Sequence, residues 1–97
     1  MIAKRSKPKA RKRPRDFRSR VHGILMGIEK MLVKKNQAYG DSALNPIRVF
    51  SKASAEEQIL VRIDDKLSRL VRGHAAGEDV LGDLVGYLVL LLLARSE

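Results

Sequence analysis

The chain has 97 residues, which is enough for one small domain. It contains 44% hydrophobic residues but only two Phe, two Tyr and no Trp, so its core has to be built mainly from aliphatic side chains. The sequence has no cysteine, which excludes disulfides, thiolate metal sites and a cysteine nucleophile. The formal net charge of +9 indicates an anionic partner.

The positive charge is concentrated at the N-terminus. Residues 1–20 hold ten of the 20 Lys and Arg residues and one acid, Asp16, whereas the other 77 residues hold ten basic and ten acidic side chains. Residues 1–15 also have two prolines and no apolar periodicity, so we expect a flexible, disordered arm followed by a helical domain over residues 16–97. Such an arm binds phosphates with little dependence on base sequence, which favours a nucleic acid over the alternatives of an anionic membrane or an acidic protein. The residues predicted to bind nucleic acid are Lys4, Arg5, Lys7, Lys9, Arg11, Lys12, Arg13, Arg15, Arg18 and Arg20.

The first helix is predicted to begin after Asp16, whose side chain can cap it. Apolar residues then follow at spacings of three and four, which places them on one face of the helix. They are Phe17, Val21, Ile24, Leu25, Ile28, Met31 and Leu32. The pair Tyr39-Gly40 is predicted to end the helix, because glycine adopts the left-handed conformation readily.

The segment before the second helix contains two capping signals. Asn45-Pro46 predicts a short helical turn as far as Phe50. Ser54, with Glu57 three residues later, predicts the start of the second helix. The residues that this helix is expected to bury are Leu60, Ile63, Leu67, Leu70 and Val71.

The third helix is predicted to run from residue 78 to about residue 94, after a loop bounded by Gly73 and Gly77. From Leu84 onward, apolar side chains surround almost the whole helix, and a helix of that kind has to be buried on every side. We therefore expect a homo-oligomer whose shared core includes this helix. The uncharged run of residues 84–94 is too short to cross a membrane, so no transmembrane segment is predicted.

Two aspartates of the third helix and two of the second are candidate metal ligands. Asp79 and Asp83 lie four residues apart on one helix face, and Mg²⁺ suits such a pair because it takes its other ligands from water and phosphate. On the second helix, Asp64 lies about 60° around the axis from Leu67, at the margin of the predicted buried face, whereas Asp65 lies about 160° away, toward solvent. The residues predicted to bind magnesium are Asp65, Asp79, Asp83 and Asp64.

The charged residues permit two interpretations. In the first, Asp79 only complements the helix dipole, and Lys66 and Arg69 only form weak surface ion pairs. In the second, Arg69 and Lys66 bind phosphate groups, the arginine through its planar fork and the lysine as a point charge. The residues predicted to bind a nucleotide in this second case are Lys35, Tyr39, Lys66, Arg69 and Tyr87.

Three blocks, residues 35–42, 62–70 and 78–87, each place an acid, a base or a tyrosine at the edge of a helical segment. Together they resemble the small phage and bacterial domains called nucleotide modification associated domain, which look like shortened relatives of the all-α, MazG-like nucleoside-triphosphate pyrophosphohydrolases. The resemblance covers roughly residues 24–93. It implies an all-α, MazG-like body that binds a nucleotide with Mg²⁺. With the three predicted helices and the apolar last helix, we expect an oligomeric helical bundle. The lack of a signal peptide and of a spanning segment favours the cytoplasm of a bacterial or phage-infected host cell.

The resemblance also bears on the choice of aspartates. In these domains the recurrent acid precedes the lysine of an Asp-Lys-x-x-Arg pattern, which corresponds to Asp65 here. MazG-like enzymes generally hold magnesium with Glu-x-x-Glu on one helix and Glu-x-x-Asp on the next, whereas this chain has Val80 three residues before Asp83. Whether the protein is an enzyme therefore stays open.

Two classes of function follow. The first is a MazG-like protein that binds or cuts a (deoxy)nucleoside triphosphate and carries a nucleic-acid-binding arm. The alternative is a non-enzymatic, oligomeric nucleic-acid-binding protein, or a phage anti-defence protein that inhibits a host enzyme.

Overall fold

The computed structural model of the chain describes residues 16–73 and 77–96. These ranges contain three α-helices, α1 (Phe17–Tyr39), α2 (Ala55–Arg72) and α3 (Val80–Arg95), and no strand. The predicted all-α class is therefore confirmed. The arm of residues 1–15 lies outside the described residues, whereas Arg18 and Arg20 are exposed on the first turn of α1. Among the described helices, none is long and apolar enough to cross a membrane.

The ends of α1 and α2 follow from local hydrogen bonds that the sequence predicts. The Asp16 carboxylate accepts a hydrogen bond of 2.8 Å from the backbone N–H of Ser19, and this bond holds the pKa of Asp16 below its ordinary value. The Ser54 hydroxyl oxygen likewise accepts a backbone N–H at the start of α2. Gly40 and Gly73 end the two helices in the left-handed conformation, with φ of 64° and 72°.

Two predicted boundaries were wrong. The third helix begins at Val80, two residues later than expected, because Asp79 stands outside it as the N-cap and accepts a hydrogen bond from the backbone N–H of Gly82. The short helical turn expected after Asn45 is not formed. Asn45 instead donates to Asp41 through both its backbone and its side-chain N–H groups, and so belongs to the turn that follows α1.

The main packing of the fold is an antiparallel hairpin of α2 and α3. Lys66 of α2 pairs with Asp83 near the start of α3, and Glu56 near the start of α2 pairs with Arg95 at the end of α3. These two contacts hold the helices side by side over most of their length.

The core between these helices is small. Its buried apolar side chains in the described residues are those of Ile59, Ile63 and Val80. The burial of Ile63 confirms its prediction, but other residues expected in the core are exposed. They are Leu67 at 43%, Leu70 at 38% and Val71 at 86% exposure. The periodicity identified the apolar side of α2, whereas α3 covers only part of it.

Helix α1 packs against the hairpin through its C-terminal half alone, and none of its residues is buried. Its closest approach is at Gly86, where an added Cβ would lie 2.9 Å from the Cε of Met31. Lys35 pairs with Asp83 one turn earlier in α3, so α1 runs antiparallel to α3. Toward its N-terminus the apolar stripe loses its partner, and Phe17 is 81% exposed.

Candidate functional site

Three carboxylates and three cations form a continuous series of ion pairs across the three helices. In order of contact, they are Asp65, Arg69, Glu78, Lys66, Asp83 and Lys35. Successive charged groups are between 2.8 and 3.8 Å apart. We refer to these six residues as the ionic chain. It joins the C-terminal half of α2 to the start of α3 and the C-terminal half of α1.

The inner members of the ionic chain are the least exposed. The side chain of Lys66 is 13% exposed and that of Asp83 is 23% exposed, with 3.4 Å between the ammonium nitrogen and the carboxylate. Lys35 approaches the same carboxylate to 3.5 Å from the side of α1. A carboxylate at the edge of an apolar helix needs such cations to offset its lost hydration. This arrangement explains how Asp83 is accommodated beside a run of leucines.

Among the outer members of the ionic chain, Arg69 makes the shortest contact. Its Nη1 atom donates to both carboxylate oxygens of Glu78 at 2.8 Å, and its Nε lies 3.3 Å from Asp65. The hydrogen bond to Glu78 and the nearby negative charges raise the pKa of Arg69 above its ordinary value. Its guanidinium is therefore already paired with two carboxylates of the same chain.

The four aspartates predicted to bind magnesium have separate surroundings. Asp65 pairs with Arg69, Asp79 caps α3, Asp83 lies between two lysines, and Asp64 is exposed. Over residues 16–73 and 77–96, no three His, Cys, Asp or Glu side chains come close enough to hold a metal ion together. The aspartates in these positions do not fit a shared Mg²⁺ ligand set, so we derive no chemical step through the ion, and the magnesium site stays a prediction.

A separate cavity of about 610 Å³ lies between the C-terminal end of α1, the loop after it, and the faces of α2 and α3 beside them. Its size falls within the range typical of small-molecule sites in proteins. We call it the basic cleft. Its lining residues are Lys35, Tyr39, Ser42, Ala43, Pro46, Ile47, Gln58, Ile59, Arg62 and Tyr87.

The chemistry of the basic cleft favours an anion that carries a flat ring. Lys35 and Arg62 supply positive charge, and the described lining contains no carboxylate. Arg62 forms no ion pair with any residue in the described ranges, so its guanidinium is available to bind phosphate oxygens. Tyr39 and Tyr87 bring aromatic rings to the same cavity, and rings of this kind stack on nucleobases.

The structure therefore divides the five residues predicted to bind a nucleotide. Lys35, Tyr39 and Tyr87 line the basic cleft together. Lys66 and Arg69 do not line the cleft and are paired with carboxylates of the ionic chain, whereas Lys35 belongs to both.

Arg62 was not among the residues predicted to bind a nucleotide. Gln58, Arg62 and Lys66 stand four residues apart, so they follow one edge of the helix face that buries Ile59 and Ile63. That spacing was a usable signal. It could not show which of the three side chains would pair with a carboxylate of α3.

Comparisons with protein-family models, with curated proteins and with solved structures found no match to this chain. The MazG-like assignment accordingly stays a prediction that rests on the three blocks of residues quoted above.

Proposed function

We propose that the protein binds a phosphorylated nucleotide, such as a nucleoside triphosphate, in the basic cleft. The observation that carries the proposal is the shared lining: Lys35, Arg62 and two tyrosines border one cavity whose described lining has no acid. The proposal agrees with the nucleotide handling that the MazG-like resemblance implies. It differs from the expectation in naming Arg62, rather than Arg69, as the arginine that contacts phosphate.

In this binding mode the phosphates lie between Lys35 and Arg62, and the base stacks on a tyrosine ring. Tyr39 is the better candidate for stacking because it is 69% exposed and has an accessible ring. The Lys35 side chain is 55% exposed, and its contact with Asp83 is a single ion pair at 3.5 Å. A polyphosphate can compete for this lysine, because Lys66 remains 3.4 Å from the Asp83 carboxylate when Lys35 turns away.

Binding is tested by isothermal titration of the full chain with a panel of ribo- and deoxynucleoside triphosphates and with inorganic tripolyphosphate. We expect binding of one or more nucleotides, tighter than that of tripolyphosphate because the base adds a stacking contact. If no compound produced heat or a thermal shift, the proposal would be wrong.

The variant Arg62→Gln tests the assigned residue. Loss of a charge-assisted hydrogen bond should weaken nucleotide binding roughly tenfold to a hundredfold. Arg72→Gln is the matched control, because it removes the same charge from the last residue of α2 and leaves the cleft lining unchanged. Equal losses in both variants would show a general charge effect and contradict a site at Arg62.

Hydrolysis is a separate part of the proposal. A MazG-like enzyme would release pyrophosphate and a nucleoside monophosphate in the presence of Mg²⁺. Chromatography of the products after incubation with and without Mg²⁺ decides this point. Binding without product identifies a nucleotide-binding protein instead of an enzyme.

The second candidate is a homo-oligomer that binds nucleic acid through its arm. It is favoured by Arg18 and Arg20, which are exposed on α1 and continue the run of cations beyond residue 15. Fluorescence anisotropy with a labelled duplex should show affinity that falls steeply with salt concentration. Deletion of residues 1–15 should abolish that binding, and an unchanged affinity would refute this candidate.

A further inference from the structure

The hairpin of α2 and α3 has an uncharged apolar surface on the side away from α1. On α3 it consists of Leu81, Val85, Leu88 and Leu92, which follow one another at spacings of four, three and four. All four are exposed, from 39% for Val85 to 69% for Leu92. Two exposed residues of α2, Leu67 and Val71, extend the surface. We call these six residues the back face.

The two halves of the back face lie on the same side of the hairpin. On α3, the four residues are centred roughly 150° around the axis from Gly86 and Leu90, which meet α1. On α2, Leu67 and Val71 are centred roughly 140° from Arg62 and Lys66, which face the cleft and the ionic chain. The back face is thus a surface formed by both helices, and α1 does not reach it.

We propose that the back face is the interface of a homodimer, in which two hairpins pack together as a four-helix bundle. This inference does not depend on nucleotide binding. In the described residues of one chain, only three apolar side chains are buried, which is a small core for a domain of this size. Packing two back faces places Leu88 and Leu92 in a shared core and leaves each basic cleft on the outside.

Two observations favour a second copy of the chain over a different partner. First, none of the six residues of the back face is charged, so two identical faces meet without bringing like charges together. The nearest acid on α2, Asp64, stands one turn before Leu67, about 20° around the axis from Val71, and its side chain is exposed. Second, a stable interface removes about 800 Å² of surface from each partner. The back face spans two helices, and a closed four-helix bundle covers it on both copies at once.

The test is the mass of the full chain in solution, measured by light scattering over a range of concentrations. We expect twice the chain mass of 10.9 kDa for the unaltered protein. Leu88→Glu should weaken the dimer at least tenfold, since it introduces an unpaired carboxylate into the interface. Its helical circular dichroism should be retained, because Leu88 is already 45% exposed in the single chain.

Two control variants place the same glutamate elsewhere. Val33→Glu changes an exposed apolar position of α1, and Leu25→Glu changes the exposed stripe of α1. Both should remain dimeric. The proposal would be overturned if the unaltered chain were monomeric. It would also be overturned if Leu25→Glu dissociated the dimer and Leu88→Glu did not, because the interface would then lie on α1.

A second measurement covers the case in which Leu88→Glu fails to fold. The chain has no cysteine, so Leu88→Cys creates a single thiol. A short bismaleimide should link two such chains covalently, whereas Val33→Cys should stay unlinked. Equal linking of the two variants, or none at Leu88, counts against the back face.

Discussion

Asp79 and Asp83 show how residues with the same chemistry and a helical spacing of four acquire different roles. Asp79 lies at the boundary of α3 and accepts a backbone N–H, so it acts on the helix end. Asp83 lies inside the helix and reaches lysines of α1 and α2, so it acts between helices. Arg62 differs from Lys66 in the same way, because only Lys66 meets a carboxylate.

Replacing Asp79 with alanine should lower the free energy of unfolding by about 1 kcal/mol, because the backbone N–H of Gly82 loses its acceptor. Urea denaturation measures the change. Asp64→Ala is the matched control, since Asp64 is exposed and caps no helix, and it should lose less than about 0.5 kcal/mol. Equal losses would mean that the cap does not stabilise α3.

The cap of α1 depends on pH. The pKa of Asp16 is lower in the folded chain than its ordinary value, so the stability that it contributes is present above about pH 3.9. That contribution should be lost as the pH falls through the folded-state pKa. A pH titration of helical circular dichroism should show the N-terminal turn of α1 unravel in acid, and Asp16→Asn should remove this step. A step of the same size in the variant would assign it to another carboxyl group.

At the scale of the helices, the position of α1 depends on a close approach at Gly86. The atom nearest to an added Cβ is the tip of the flexible Met31 side chain, which can turn aside. The second contact is with Leu32, 3.3 Å from the added Cβ. A small side chain at Gly86 can therefore be accommodated, whereas a long one has to displace α1.

Gly86→Ala should change stability by less than about 1 kcal/mol, because the gain in helix propensity offsets the shift of Met31. Gly86→Leu should separate α1 from the hairpin and weaken nucleotide binding, since Lys35 and Tyr39 of the basic cleft belong to α1. Thermal denaturation and nucleotide titration measure the two effects. Gly27→Ala is the control, because an added Cβ there has nothing within 4 Å, and it should stabilise α1. Unchanged binding in Gly86→Leu would contradict the role of α1 in the cleft.

At the scale of the whole molecule, the hairpin and α1 should differ in stability. The hairpin contains all the buried apolar side chains of the described residues, whereas α1 buries none and its N-terminal half extends away from its partners. An isolated helix of about twelve residues, the length of that N-terminal half, is marginal in water. The N-terminal half of α1 should therefore open without unfolding of the hairpin.

Hydrogen exchange measured in dilute protein should show this difference directly. Backbone amides of residues 20–28 in α1 should exchange faster than those of residues 59–63 in α2, which surround the buried Ile59 and Ile63. Equal protection of the two segments would mean that the chain unfolds as one cooperative unit.

The sequence by itself determined the helices and most of their ends, since Asp16, Gly40, Ser54 and Gly73 act through hydrogen bonds and backbone angles within a few residues. It also determined the concentration of positive charge in residues 1–20. Only the tertiary structure decided which apolar residues of α2 are covered, and which cation meets which carboxylate. These outcomes depend on contacts between residues such as Lys35 and Asp83, far apart in the chain, whose distance no local pattern encodes. The basic cleft is of the same kind, because it forms where the end of α1 meets the hairpin.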